Sequence, residues 1–217
     1  LPIFNYCLIL SQSFDFNNSP YALGDAIADK SSDWIIPYFD GNNSVSRVVR
    51  VFPNYLIFKP SMLVVGVLLV IYWIKNKKLI YEINKNQRHI NKILIFGILS
   101  AICLIFHAII LGTEIDDGII KKVRRIILLF FIIFEIIAQV YLLIIFYEIK
   151  NKILNLINVK ILQMKKFLVT TLIIIIFISV PFLIMEGNTA FKHMLEWNCL
   201  FAVVFFYFLT FLMWKKN

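Results

Sequence analysis

Five stretches of about twenty residues in this chain consist almost wholly of apolar side chains. A helix rises about 1.5 Å per residue, so it needs about 20 residues to cross a hydrocarbon layer about 30 Å thick. Each stretch therefore predicts a helix that spans a membrane. The stretches are residues 55–74, 92–111, 126–147, 167–185 and 198–214.

Composition indicates the same class of protein. Hydrophobic residues make up 60% of the 217 and charged residues 16%, whereas about 25% charged residues is ordinary for a soluble domain. A water-soluble core of this size could not hide so much apolar side chain. We predict an all-α fold, a polytopic transmembrane helix bundle that forms one membrane domain over residues 1–217, without a soluble catalytic domain.

A sixth span is suggested at the beginning of the sequence. Residues 1–10 are apolar but too short to cross a membrane, and the first residue is Leu1 rather than Met. We expect the chain to begin inside a first span that is truncated. A cleavable signal peptide is the poorer alternative, because no basic region and no small-residue cleavage site is present.

Lysine and arginine are distributed unequally over the segments between the spans. Segments 75–91 and 149–166 and the tail hold 12 of them, and the acids on this side are Glu82 and Glu148, the second directly before segment 149–166. Segments 11–54, 113–125 and 186–197 hold 8, against 10 acids. By the positive-inside rule the first set is cytoplasmic, so both termini are expected in the cytoplasm. Four cations on the predicted outer side depart from the pattern: Lys121, Lys122, Arg124 and Arg125.

The formal net charge of +9 follows from this asymmetry and does not indicate a nucleic-acid partner. Basic residues at the cytoplasmic side of a bundle face the anionic lipids of the inner leaflet. The expected partners are therefore membrane lipids, with a membrane protein or a second copy of the chain as further candidates. Cys7, Cys103 and Cys199 stand singly in apolar runs, so no redox pair, metal site or cofactor is expected.

The outer loop, residues 11–54, is the one sizeable segment outside the predicted spans. It mixes turn-forming residues with an apolar patch at residues 34–39. This pattern predicts a compact loop or short helix that packs on the outer ends of the bundle. Whether residues 36–54 fold over the bundle as a lid is left open.

The order of features resembles the Frag1/DRAM/Sfk1 family of six-span membrane proteins. The long first outer loop carries Pro37, Asp40 and Gly41 in the stretch IPYFDG, followed by SVSR at 44–47 and FPN at 52–54. The last span opens with HMLEW, ending in Glu196 and Trp197, and closes with FYFLT at 206–210. The resemblance implies a role in membrane-lipid organisation and no known catalytic mechanism. It makes Asp40 and Trp197 candidate site residues.

Glu135 is the clearest polar residue within a predicted span. An ionisable side chain near the middle of a bilayer costs at least about 2.5 kcal/mol, so it needs a partner or a purpose. Gln139 follows four residues later and shares its helix face. One hypothesis is a proton-carrying or head-group-binding carboxylate that lines a cavity; the favoured alternative is a hydrogen bond between helices.

The span at 92–111 carries a stripe of small and polar residues at spacings of three and four. It runs through Gly97, Ser100, Ala101 or Cys103, and His107. Small residues in such a stripe allow another helix to approach closely. His107 is a candidate proton acceptor or metal ligand, although a lone histidine near the interface is more often simply hydrogen-bonded.

Other candidates gather at the predicted outer surface: Asp116, Asp117, Glu186, His193 and Glu196. His193 and Glu196 are three residues apart and could share a helix face, as a metal-dependent lipid hydrolase would need. The signal is weak, because the chain has no H-E-x-x-H and no G-x-S-x-G motif. The acids can equally stabilise helix N-termini.

Three functions are compatible with these sequence features. A non-enzymatic membrane protein that organises or binds lipids is favoured. A lipid-modifying enzyme would use His193, Glu196, Asp116 and Asp117. A small transporter would use Glu135 as its proton site, although no inverted repeat supports it.

Overall fold

The computed structural model describes residues 36, 38–41, 44–49, 54–110, 118–184 and 187–215. Several sequence predictions lie outside this range. They concern the first span at residues 1–10, most of the outer loop, and the acids Asp116, Asp117 and Glu186.

The described residues form seven α-helices, which we number in chain order. They are α1 Val45–Val48, α2 Asn54–Ile83, α3 Ile90–Ile110, α4 Gly118–Glu148, α5 Lys150–Ile153, α6 Val159–Ile184 and α7 Thr189–Met213. Five of them, α2, α3, α4, α6 and α7, are long and apolar enough to cross a membrane. The predicted all-α bundle is thus confirmed, and the chain is a multi-pass integral membrane protein.

The long helices extend beyond the apolar runs that predicted them. α2 continues to Ile83, α6 begins at Val159 and α7 begins at Thr189, whereas the corresponding runs end at 74 and begin at 167 and 198. Lysine and glutamate are good helix formers, so the backbone hydrogen bonds continue after the side chains become charged. Hydropathy locates the edge of the hydrocarbon layer and not the end of the helix.

Helix α3 packs against both α2 and α4, while α6 and α7 form a second pair that contacts α4. Two glycines permit the close approach of α2 and α3. A Cβ atom at Gly97 would overlap the indole of Trp73, and one at Gly66 would overlap Ile105. Small residues in place of large ones are what let helix backbones approach closely within a membrane.

The bundle has two ends, which we name after residues that lie there. At the Trp214 end, Ile157 and Trp214 form an antiparallel bridge, in which Asn158 N donates to Met213 O at 2.8 Å and Lys215 N to Leu156 O at 2.9 Å. Gln87 hydrogen-bonds to Glu148 at the same end. The His193 end carries residues 36, 38–41 and 44–49 and the beginning of α7.

The surface of the bundle is apolar. The exposed fractions of Phe167, Phe177 and Phe211 are 75%, 74% and 70%. Such a surface is stable only against an apolar solvent such as lipid tails. The interior, by contrast, contains fully buried polar side chains, among them Ser100, Glu135, Gln139 and Lys165.

Candidate functional site

Glu135 lies in the centre of the bundle with no exposed surface. Ser100 Oγ on α3 is 2.8 Å from its Oε2 atom. Gln139 Nε2, one turn along α4, donates to Oε1 at 3.0 Å, and the Tyr207 hydroxyl on α7 donates to the same oxygen. The carboxyl group therefore links its own helix, α4, to α3 through Ser100 and to α7 through Tyr207.

Three further polar atoms in this region are buried without a hydrogen-bond partner among the described residues. They are Gln139 Oε1, Trp73 Nε1 and the Tyr72 hydroxyl oxygen. The rings of Tyr72 and Tyr207 meet edge to face, with centroids 4.9 Å apart. The Tyr72 hydroxyl lies beside Thr210 on α7 without reaching hydrogen-bond geometry. Most buried polar atoms in proteins are hydrogen-bonded, so this concentration of unpaired ones is unusual.

Lys165 is a second fully buried ionisable residue, and sequence reasoning missed it by counting it within the basic segment 149–166. Its Nζ atom donates to Thr210 Oγ1 at 2.8 Å. The same atom lies 4.1 Å from the ring centroid of Phe206 and 5.6 Å from that of Phe146. The electron-rich ring faces attract a cation.

Helical spacing would have found Lys165. It falls between Leu162 and Val169, which are buried, at separations of three and four residues. Such separations lie on one helix face. The apolar run was counted from residue 167, so the inward-facing stripe that begins before it was overlooked.

At the His193 end, a turn from the outer loop is docked on α7. His193 Nδ1 lies 2.9 Å from the Gly41 carbonyl oxygen, and because a carbonyl can only accept, this nitrogen carries the hydrogen. Asn198 Nδ2 donates to the Tyr38 carbonyl at 3.0 Å. Gly41 has a φ of +63°, and a Cβ atom there would overlap the backbone of Ala190. The turn therefore needs glycine for its conformation and for its contact.

Tyr38 completes the docking. Its ring packs edge to face on the buried Trp197, with centroids 5.3 Å apart, and burial raises the pKa of its phenol. Asp40 Oδ2 accepts a hydrogen bond from Ile36 N at 2.8 Å, which closes the turn. Asp40 and Trp197, both suggested by the family resemblance, thus lie in the same docked unit.

The hydrolase hypothesis placed His193 and Glu196 together as ligands. In the structure His193 Nδ1 donates a hydrogen bond to the Gly41 carbonyl oxygen. Within the described ranges, no group of three or more His, Cys, Asp and Glu residues is placed to hold a metal ion. Asp116 and Asp117, the other members of that hypothesis, lie outside these ranges.

His107 and Glu196 line a partly open cleft at the His193 end. His107 is buried and lies near the backbone of Arg124, while its Nδ1 atom has no partner among the described residues. The other walls are apolar side chains from α1, α2, α3, α4 and α7, and residue 49. The cleft contains about 310 Å³ of unfilled space including its mouth; it is narrow, with room for about one water molecule.

No protein-family model, curated protein or solved structure matches this chain.

Proposed function

We propose that this multi-pass membrane protein is non-enzymatic, and that it binds a lipid head group in the cleft at its His193 end and thereby takes part in membrane-lipid organisation. The observation that carries the proposal is that His107 and Glu196 both line an otherwise apolar cleft. Such a cleft suits the polar tip of an amphiphile, because a few polar groups in an apolar surround select the head group, while the hydrocarbon chains stay outside against the apolar surface of the bundle.

The two polar residues favour a particular head group. A carboxylate accepts hydrogen bonds, and a neutral imidazole offers one accepting nitrogen. The narrow space suits a group about the size of a water molecule. A primary ammonium group has this size and carries three donors, whereas the trimethylammonium group of choline is larger and has no N–H. The proposed ligand is therefore phosphatidylethanolamine or another lipid with a primary amine.

Position along the bundle supports a lipid ligand. His107 lies in the last turn of α3, which ends at Ile110, and Glu196 lies in the first half of α7, which begins at Thr189. Both residues are thus near one end of membrane-spanning helices, where lipid head groups are found.

The docked turn helps to form the cleft. Val45 and Val49, which follow the Gly41 turn, are two of its lining residues. The hydrogen bond from His193 to Gly41 holds this segment on α7. His193 is therefore assigned a positioning role, and the lipid contacts are assigned to His107 and Glu196.

The resemblance to the Frag1/DRAM/Sfk1 family implies the same function. Membership of the Frag1/DRAM/Sfk1 family is part of the proposal, and its support is that Gly41 and His193, from the two sequence regions of the resemblance, are in contact. The distribution of lysine and arginine supports an orientation with the Trp214 end in the cytoplasm. A membrane-protein partner or a second copy of the chain would pack on the apolar outer surface.

Native mass spectrometry tests the lipid proposal. The purified protein would be released from nanodiscs that contain equal amounts of phosphatidylethanolamine and phosphatidylcholine. We expect the ethanolamine lipid to be retained in preference, since choline has no N–H donors. The variant His107→Phe should lose this preference.

His89→Phe is the matched control. His89 lies at the Trp214 end and also has an Nδ1 atom without a partner among the described residues, so the same substitution is made far from the cleft. We expect its lipid preference to equal that of the unmodified protein. Equal retention of both lipids by the unmodified protein, or the same loss in both variants, contradicts the proposal.

A further inference from the structure

Among the described residues, Glu135 and Lys165 are the acid and the base with no exposed surface, and they do not form an ion pair with each other. The groups that interact with Glu135 are Tyr207, Ser100 and Gln139, together with the nearby Tyr72. None of these carries a positive charge. Lys165 is surrounded by Thr210, Phe206 and Phe146. Burying an ionisable group without a counter-ion in contact costs free energy of folding. Both groups are therefore expected to have a function.

Helix α7 connects the two groups. Tyr207, which donates to Glu135, and Thr210, which accepts from Lys165, are three residues apart and lie on one face of the helix. Tyr72 on α2 lies between them. Its ring packs edge to face on that of Tyr207, with centroids 4.9 Å apart, and its hydroxyl lies near Thr210 and near Asn76 of its own helix without a hydrogen bond to either. The hydroxyl groups therefore form a row from Lys165 through Thr210, Tyr72 and Tyr207 to Glu135.

The Glu135 end of this row can hold a proton or release it without losing hydrogen bonds. Ser100 Oγ is 2.9 Å from Gly97 O and 2.8 Å from Glu135 Oε2, but a hydroxyl has one hydrogen. When Glu135 is ionised, Ser100 donates to it. When Glu135 carries a proton, the acid donates to Ser100, and Ser100 donates to Gly97.

The Lys165 end has the same property. Thr210 Oγ1 donates to Phe206 O at 2.9 Å while it accepts from Lys165. An ammonium group and a neutral amine both have an N–H to donate to Thr210. Neither protonation state of Lys165 leaves Thr210 without its partners.

We propose that Glu135 and Lys165 are a proton-exchanging pair joined by the hydroxyl groups of Thr210, Tyr72 and Tyr207. In the forward step an N–H bond of the Lys165 ammonium breaks and an O–H bond forms on the Glu135 carboxylate. Each hydroxyl between them accepts one proton and passes on another. The pair changes from one positive and one negative charge to two neutral groups, so its net charge is unchanged.

The Tyr72 hydroxyl controls the step. It is the member of the row that has no hydrogen-bond partner among the described residues, so the row is interrupted there. A movement of the Tyr72 side chain, together with rotation of the Thr210 hydroxyl from Phe206 O toward Tyr72, completes the row. The titratable groups that face Glu135 from neighbouring helices are Tyr72 and Tyr207, while aromatic rings and Thr210 face Lys165.

Infrared spectroscopy of the full chain in nanodiscs tests the proposal. At a pH low enough to protonate Glu135, its carboxylic acid C=O band is identified by its loss in Glu135→Gln. Transfer to deuterated buffer shifts this band, and the rate of the shift reports proton exchange at Glu135. We expect Tyr72→Phe and Lys165→Met each to slow this exchange by roughly 100-fold, the lower part of the range for a positioned proton-transfer group.

Two matched variants control for non-specific effects. Tyr141→Phe removes a hydroxyl from α4 outside the row, and Lys166→Met removes the neighbouring, exposed lysine. Neither should change the exchange rate. Backbone amide exchange is followed in the same samples, because a variant that only tightens the whole bundle slows the amide signal as well.

The proposal is overturned by any of three results. They are the absence of a Glu135 acid band at every pH tested, unchanged exchange in both Tyr72→Phe and Lys165→Met, and equal slowing in the matched variants. If Lys165→Met does not fold, Thr210→Val replaces it, since it retains Lys165 and removes the linking hydroxyl. The same slowing is then expected.

Discussion

His193 donates a hydrogen bond to the carbonyl oxygen of Gly41, 152 positions earlier in the chain, at 2.9 Å. This contact attaches the turn at residues 38–41 to the last helix. It also explains why a histidine at the beginning of α7 need not be a metal ligand. The docked turn and the interior polar row occupy different parts of the bundle, so their energetic contributions can be measured separately.

Gly41→Ala should detach the docked turn. A positive φ costs a residue with a side chain about 1–2 kcal/mol, and the new methyl group would also overlap the Ala190 backbone. We expect faster proteolysis of the outer loop and a lower unfolding temperature. Gly187→Ala is the control: its φ is +88° but nothing lies within 4 Å of the added atom, so it should show the smaller loss. Equal losses would mean that the contact with α7 contributes nothing.

Gly97→Ala should loosen the packing of α2 on α3. The added methyl group would overlap the Trp73 indole, and overpacking of this kind costs about 1–3 kcal/mol. Unfolding in mixed detergent micelles measures the loss, and tryptophan fluorescence reports whether an indole moves. Leu99→Ala, on the lipid-facing side of the same helix, should change stability by less than about 0.5 kcal/mol. A Gly97→Ala variant as stable as the original protein would contradict the close approach.

Glu135 should stabilise the bundle through its hydrogen bonds, independently of any proton exchange. Glu135→Leu would leave the donors of Gln139 and Tyr207 unpaired in the interior, at about 1–3 kcal/mol for each buried group. Glu135→Gln retains an accepting oxygen and a similar shape, so its loss should be the smaller of the two. Chemical unfolding of the two variants side by side provides the measurement. If they are equally stable, the cluster does not stabilise the bundle.

Lys165→Met should leave stability unchanged or raise it. The replacement keeps a long side chain between Phe146 and Phe206 and removes a buried charge, whose desolvation costs several kcal/mol. Thr210 retains its bond to Phe206 O at 2.9 Å. Thermal unfolding is compared with that of Lys166→Met, in which an exposed lysine is removed. A marked destabilisation confined to Lys165→Met would mean that its bond to Thr210 outweighs the cost of burial.

Particular residues show how far the candidate site was predictable. Glu135 and Gln139 were placed on one helix face by their spacing, and they hydrogen-bond at 3.0 Å. Tyr207 was read only as part of an aromatic stretch, because tyrosine is common in membrane helices and its partner is on another helix. Lys165 was assigned to the cytoplasmic segment, because hydropathy weighs a lysine by its type and not by the direction of its side chain.

The apolar runs by themselves determined that the chain is a multi-pass bundle of membrane-spanning helices. Hydrocarbon offers no hydrogen bonds to a backbone, so an apolar run of about 20 residues has helix as its stable form. Tertiary structure alone decided that Gly41 contacts His193, that Tyr72 packs on Tyr207, and that Lys165 points inward. These relationships depend on helix rotation and on contacts between distant segments. Apolar side chains are about equally stable against lipid and against another helix, so hydropathy does not specify how each helix is rotated about its axis. Packing and polar contacts between helices specify that rotation.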